Sequence, residues 1–112
     1  MNEFLLLFRR DYQTSDVQPT PEQLQEHIKH WQKWYGELAS KEVLAKPVQR
    51  LDLKGQLLSA TGKAAEGPYV KDAESIGGYL IIKADTYQDA VKIAQDCPIF
   101  ELGGNVEVRQ GN

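Results

Sequence analysis

Histidine is the side chain whose ordinary pKa lies closest to neutrality, so His27 and His30 are the first places to look for proton transfer. Neither belongs to a Cys/His cluster or a CxxC motif, and no spacing of ligands suggests a metal. The single cysteine, Cys97, cannot form an internal disulfide. It precedes Pro98 in an apolar stretch, where a buried and inert thiol is expected. Nucleophile elbows, phosphate-binding loops and GxGxxG turns are missing from the sequence, so the expectation is chemistry without a cofactor or metal. Trp31, Trp34, Tyr35, Tyr69 and Tyr79 could line an aromatic pocket, although aromatics at helical spacing more often build a core.

A helix must position His27. Thr20-Pro21-Glu22-Gln23 reads as its start, because Thr20 can accept from a free backbone N–H, Pro21 fits the first turn and Gln23 can reach back. The helix should run to about Ala39. Leu24, Ile28, Trp31, Tyr35 and Leu38 then form one stripe, the expected buried face. His27 and Trp34 lie on its flank, roughly 60° to 80° from Leu24, and His30 lies about 120° round on that side. His27 is therefore the histidine expected to be half buried.

The remaining elements follow from apolar runs and breakers. Phe4 to Phe8 suits a strand buried on both faces. Val43 to Leu53 and Gln56 to Ala65 read as paired strands joined at Lys54-Gly55. Glu66-Gly67-Pro68-Tyr69 breaks the second strand and opens a loop to about residue 75. Gly77 to Ala84 is the clearest strand, its glycine pair giving the chain room to turn or to approach another backbone. Thr86 offers an N-cap to a short helix that turns Ala90, Val91, Ile93 and Ala94 to the core and ends before Pro98. Asn105 to Arg109 alternates as the last strand. The order β-α-β-β-α-β predicts an α+β, ferredoxin-like protomer with a four-stranded antiparallel sheet and both helices on one face.

That arrangement leaves the other face bare, yet the first strand and residues 79 to 82 are apolar at successive positions. Leaving such side chains wet forfeits about 1.5 to 3 kcal/mol each. A second copy packed sheet on sheet removes the loss, so a homodimer is expected. If Val106 and Val108 meet the helices, Glu107 and Arg109 face the second sheet. They would satisfy one another at the rim, or Arg109 would anchor an anionic ligand.

A chain of 112 residues fits a single domain, 1–112, with room for one core. Thirteen basic against sixteen acidic residues, with both signs scattered, argue against a nucleic-acid surface, which needs clustered Lys and Arg. The opening apolar run is too short for a signal peptide and carries Glu3, and no run is long enough to span a membrane. A cytoplasmic protein is the expectation.

Glu66-Gly67-Pro68-Tyr69 and Gly77-Gly78-Tyr79-Leu80-Ile81-Ile82 carry a resemblance that extends over nearly the whole chain. With Phe4-Leu5-Leu6-Leu7-Phe8-Arg9, Glu22 to His27, Trp31, Cys97-Pro98 and Gly103-Gly104-Asn105-Val106-Glu107-Val108-Arg109, the chain resembles the YCII-related family, also called the DGPF-domain family after its Asp-Gly-Pro-Phe motif. The resemblance implies a ferredoxin-like protomer in a dimeric α+β barrel, and an acid/base pair of a helix histidine and the motif aspartate. Relatives include a lyase acting on a halogenated aromatic. Here the histidine matches His27, while Glu66 stands at the aspartate position and Tyr69 at the phenylalanine position. Glutamate keeps the carboxylate but carries it one methylene further out.

Two readings of function follow. One is a cofactor-independent lyase or isomerase acting on a small anionic or aromatic molecule, with His27 as base, Glu66 orienting it, and Trp31, Tyr69, Tyr79 and Arg109 around the ligand. The other is a non-catalytic dimeric module that binds a small ligand or supports another protein.

Overall fold

The computed structural model describes residues 1–111, the side chains of residues 47 and 48 excepted. Eight main elements follow one another: β1 (Asn2–Asp11), α1 (Pro21–Ser40), β2 (Leu44–Arg50), β3 (Gly55–Leu58), β4 (Ala64–Gly67), β5 (Glu74–Ala84), α2 (Tyr87–Ala94) and β6 (Asn105–Gln110). Single 3₁₀ turns occupy Ser15–Val17 and Pro98–Leu102. β2, β5, β1 and β6 lie side by side in that order, all antiparallel, with α1 and α2 against one face. This is an α+β arrangement compatible with a ferredoxin-like fold.

Phe4, Leu6 and Phe8 alternate inward from β1 and meet Leu80, Ile82 and Ala84 of β5, Trp34 and Leu38 of α1, and Ala90 and Ala94 of α2. Both helix starts form as the sequence predicts. Thr20 accepts from the Gln23 amide while Gln23 reaches back to the Thr20 amide, and Thr86 accepts from the Asp89 amide. In α2 Ala90 and Ala94 are buried and Ile93 packs on the core, but Val91 turns outward and is exposed.

The buried stripe of α1 differs from the expected one. Leu24 and Ile28 are 40% and 44% exposed, and the helix instead buries His27, Trp34 and Leu38, with Trp31 and Tyr35 packed on the core. The sequence holds two overlapping stripes of equal helical spacing, and the one taken places both indoles on Phe8. The Phe8–Trp31 and Trp31–Trp34 ring centroids are 5.0 Å and 5.6 Å apart, edge to face. Indoles remove more apolar area from water than Leu24 and Ile28 would. His27 is thereby drawn inward to 6% exposure.

The strands after α1 also pair differently from expectation. β2 pairs with β5 rather than with the segment after Lys54-Gly55. That segment makes its own hairpin, β3 with β4, turning at residues 59–63 instead of 54–55. β2 stands at the sheet edge, so β5 supplies its ladder and leaves the inserted hairpin to pair with itself. The hairpin projects: the radius of gyration is 15.2 Å, against about 13 Å for a compact chain of this length. Within the expected loop, Lys71 and Glu74 exchange backbone hydrogen bonds around Asp72 and Ala73, both at positive φ, and this tight turn begins β5.

The sheet's second face carries two cross-strand rows. One runs Lys46, Ile81, Leu5, Arg109; the other runs Gln49, Tyr79, Leu7, Glu107. Apolar groups occupy the two central strands, and charged or polar groups occupy the edges. Val106 and Val108 pack on the helix-side core, as their alternation requires. Among the described residues, no helix is long and apolar enough to cross a membrane.

Candidate active site

His27 lies in the second turn of α1, where the indole stripe carries it inward. Its partners are Trp31, one turn on, and Glu101, from the 3₁₀ turn Pro98–Leu102. That turn is anchored by Cys97, Pro98 and Ile99, all buried, and ends at Gly103 in the left-handed region with φ 75°. Glu101 is thereby presented to α1 from a fixed base. Its carboxylate meets two histidines: His30 Nδ1 is 2.8 Å from both oxygens, and His27 Nδ1 is 3.6 Å from Oε2.

The indole N–H of Trp31 donates to His27 Nε2 at 2.7 Å. An indole nitrogen can only donate, so Nε2 must accept, and the neutral ring carries its proton on Nδ1. That N–H points toward Glu101 across a gap too long for a hydrogen bond, and Nδ1 is buried with no hydrogen-bond partner among the described residues. Burial pushes the His27 pKa below its usual value. The Glu101 carboxylate pulls the other way and loses, while the Arg10 and His30 charges add to the depression.

A cleft of about 590 Å³ opens beside this pair, lined by Asp16, Val17, Gln18, Pro19, Glu22, Gln23, Glu26, His27, Glu101 and Leu102. One wall is the chain from Asp16 to Pro19, tied back to the end of β1. The Thr14 side chain, with the amides of Thr14 and Gln13 that donate to Asp11, holds the Asp11 carboxyl below the usual range. The Gln18 amide donates to the Asp11 carbonyl at 2.8 Å and accepts from Arg10 at 3.0 Å. Arg10 in turn stacks over the Tyr12 ring.

Of the residues expected at a site, the structure joins His27 and Trp31 only. Glu66 is exposed in β4 opposite Gln56 and does not line the His27 cleft. Tyr69 is 68% exposed and borders a separate cleft of about 720 Å³ under the hairpin, with Arg9, Leu57 and Pro68. Tyr79 and Arg109 stand on the second face of the sheet, where Arg109 and Arg9 both bond to Glu107 and hold its carboxyl below the usual range. Burial pushes the Cys97 thiol up to about 12, so it stays protonated and inert. No group of three or more His, Cys, Asp or Glu among the described residues is arranged to hold a metal.

Glu101 is the site residue that sequence reasoning missed. Helical and strand periodicities do not reach a single 3₁₀ turn, yet a signal was present, since Glu101 is the one charged residue between Cys97 and Gly103.

Comparison with known proteins adds a family and a similarity to a solved structure. The chain is similar to 5-chloro-2-hydroxyhydroquinone dehydrochlorinase (TftG) from Burkholderia phenoliruptrix AC1100, solved with 2,5-dihydroxybenzoquinone. The two are 19% identical over 97% of this chain and 93% of that one, with a TM-score of 0.45. No curated protein matches the chain. The sequence pattern of the YCII-related domain matches residues 5–110, from the middle of β1 to the end of β6, and the chain therefore belongs to the YCII-related domain family.

Proposed function

We propose that this protein binds a small molecule in the cleft beside His27 and moves a proton on it, in a reaction of the lyase or isomerase kind, with Glu101 as proton acceptor and His27 as its positioning partner. The observation that carries the proposal is the buried, unpartnered Nδ1 of His27 facing Glu101 across 3.6 Å at the edge of the cleft. A base needs a free lone pair. The one on His27 Nε2 is committed to Trp31, whereas Glu101 keeps its carboxylate beside the ligand space. His30 Nδ1, 2.8 Å from both oxygens, holds that carboxylate in one orientation.

In the proposed step the substrate's C–H bond breaks, its proton passes to a Glu101 oxygen, and the electron pair stays on carbon. A lyase then uses that pair to expel a leaving group from the neighbouring atom. An isomerase returns the proton from Glu101 to a different carbon. The gap to His27 Nδ1 closes as ligand binding draws the carboxylate inward, because catalytic hydrogen bonds are often long before substrate arrives.

Solvent-deuterium exchange into small ketones, aminoketones and phenols, followed by NMR, tests this reading. Wild-type protein should catalyse exchange on at least one member, and Glu101→Gln should lower the rate by about 10²- to 10⁴-fold. Unchanged exchange in Glu101→Gln, or none by the wild type on any member, would remove the assignment.

The working unit is a homodimer in this proposal, two sheets meeting as a dimeric α+β barrel. Support comes from the rows on the second face. Leu5, Leu7, Tyr79 and Ile81 make an apolar centre, rimmed by Lys46 and Gln49 on one edge and Glu107 and Arg109 on the other. This is the anatomy of a protein interface, with a dry middle and a polar border.

A further inference from the structure

The β3–β4 hairpin buries almost nothing in its own protomer. From residue 51 to residue 66 every residue but Gly55 is exposed, and the two strands have four residues each. A lone two-stranded hairpin is marginal in water unless an apolar face of it packs on something. Leu57 and Leu58 are consecutive in β3 and so point to opposite faces, and only Leu57 borders the cleft of about 720 Å³ beneath. Leu51 and Tyr69, 42% and 68% exposed, border the same cleft.

The floor of that cleft belongs to the sheet's second face. Arg9 follows Leu7 by two residues along β1, so both point the same way, and Arg9 bonds to Glu107 of that face. Ile76 stands opposite Arg9 in the pairing with β5 and shares its side. The apolar centre of Leu5, Leu7, Tyr79 and Ile81 therefore continues through Ile76 to Leu51, Leu57 and Tyr69. The hairpin overhangs one end of the face on which the second copy sits in the proposed dimer.

Area points the same way. A stable pair takes about 800 Å² from each partner. Leu5, Leu7, Tyr79 and Ile81 are each already partly buried within the protomer, and four such side chains fall well short of that area. Leu51, Leu57 and Tyr69 add exposed apolar surface beside them.

We propose that the hairpin is an arm that grips a second copy of this chain: the partner's chain enters the cleft and packs on Leu51, Leu57 and Tyr69, while the outer face with Leu58 stays in water. In a two-fold pair each copy gives one arm and receives one. The inference rests on the reading of the working unit as a sheet-on-sheet homodimer and adds the element that clasps it.

Sedimentation of full-length protein over a concentration series gives the dimer dissociation constant of the wild type, Leu57→Ser and Leu58→Ser. Neither leucine belongs to the protomer core, so both variants should keep a near-native circular dichroism spectrum. Leu57→Ser is expected to weaken the pair at least about tenfold and Leu58→Ser less than about twofold. In a mixture of ¹³C-labelled and unlabelled wild-type copies, the Leu57 methyl groups should show cross-peaks to the unlabelled partner, as should those of Leu5 and Ile81. That readout needs no variant to fold. A dissociation constant that Leu57→Ser leaves unchanged would overturn the arm, leave the dimer standing and free the cleft for a ligand. So would partner cross-peaks from Ile81 with none from Leu57. Equal weakening by both substitutions would overturn it too, because it would report damage to the hairpin rather than contact through one face. A wild type monomeric throughout would overturn arm and dimer together.

Discussion

Trp31 donates its indole N–H to His27 Nε2 across 2.7 Å, one helical turn away on α1. This bond sets the tautomer of His27, occupies the lone pair a general base would use, and opposes a second proton on the ring. Burial acts in the same direction. The two effects make the most obvious base in the sequence a neutral donor, and in the proposed reaction the acceptor role falls to Glu101.

Replacing Trp31 should therefore release His27. In Trp31→Phe the donor facing Nε2 is gone, and the pKa of His27 should rise toward its ordinary value of 6.5. Long-range ¹H–¹⁵N spectra should show the Nδ1–H tautomer in the wild type and a mixture in the variant. A wild-type ring protonated on Nε2 would sink the tautomer argument.

The two candidate carboxylates separate in the same titration. Glu101 raises the His27 pKa and partly offsets burial, so Glu101→Gln should lower it further. Glu66 stands in the projecting hairpin, and Glu66→Gln should leave the curve unmoved. A shift in Glu66→Gln would restore the pairing that the family resemblance implies.

Stability should follow the His27 charge. The folded pKa lies below 6.5, so as pH falls through 6.5 the unfolded chain takes up a proton that the native chain refuses. The stability held by a neutral His27 is complete above 6.5 and is lost progressively as pH drops toward the folded pKa. Urea midpoints compared between about pH 7.5 and about pH 5.5 should fall less steeply in His27→Gln than in the wild type. The other titrating groups are common to both proteins, so equal slopes would contradict a depressed His27 pKa.

Elements whose local chemistry is self-contained were legible in the sequence. The Thr20–Gln23 capping box, the Thr86 cap, β1 and β5, and the alternation of Val106 with Glu107 all follow from neighbours in the chain. The face of α1 was not legible, because two stripes fit the same period and only Phe8, far away in sequence, selects between them. The hairpin was misplaced because β2's partner lies across the sheet, and no local turn signal reports that. Of the site, His27 and Trp31 could be named from α1 alone. Glu101 arrives from a segment more than 70 residues away by the residue numbering, and only the fold brings it there.

Two glycines make an opposed pair of tests. Gly36 is an exposed interior position of α1 with nothing within 4 Å of an added Cβ, so Gly36→Ala should stabilise by roughly 0.5 to 1 kcal/mol. At Gly78 a Cβ would meet the backbone oxygen of Gln49 at 2.7 Å, where β5 passes β2. Strand β2 must move aside, and Gly78→Ala should cost about 1 to 3 kcal/mol. Thermal melts showing both variants shifted the same way would mean that the edge pairing is wrong.

The second face of the sheet yields the last test. Ile81 stands between Lys46 and Leu5, in the apolar middle of its row, while its neighbour Ile82 is fully buried in the protomer core. Lysine at 81 places a charge in the proposed interface and leaves the core side of β5 as it was. Ile81→Lys should then sediment as a folded monomer of 12.6 kDa under conditions in which the wild type sediments at twice that mass. Its near-native circular dichroism would separate lost pairing from lost folding. A wild type that stays at 12.6 kDa at high concentration would refute the pairing, and Leu5, Leu7, Tyr79 and Ile81 would then need another cover.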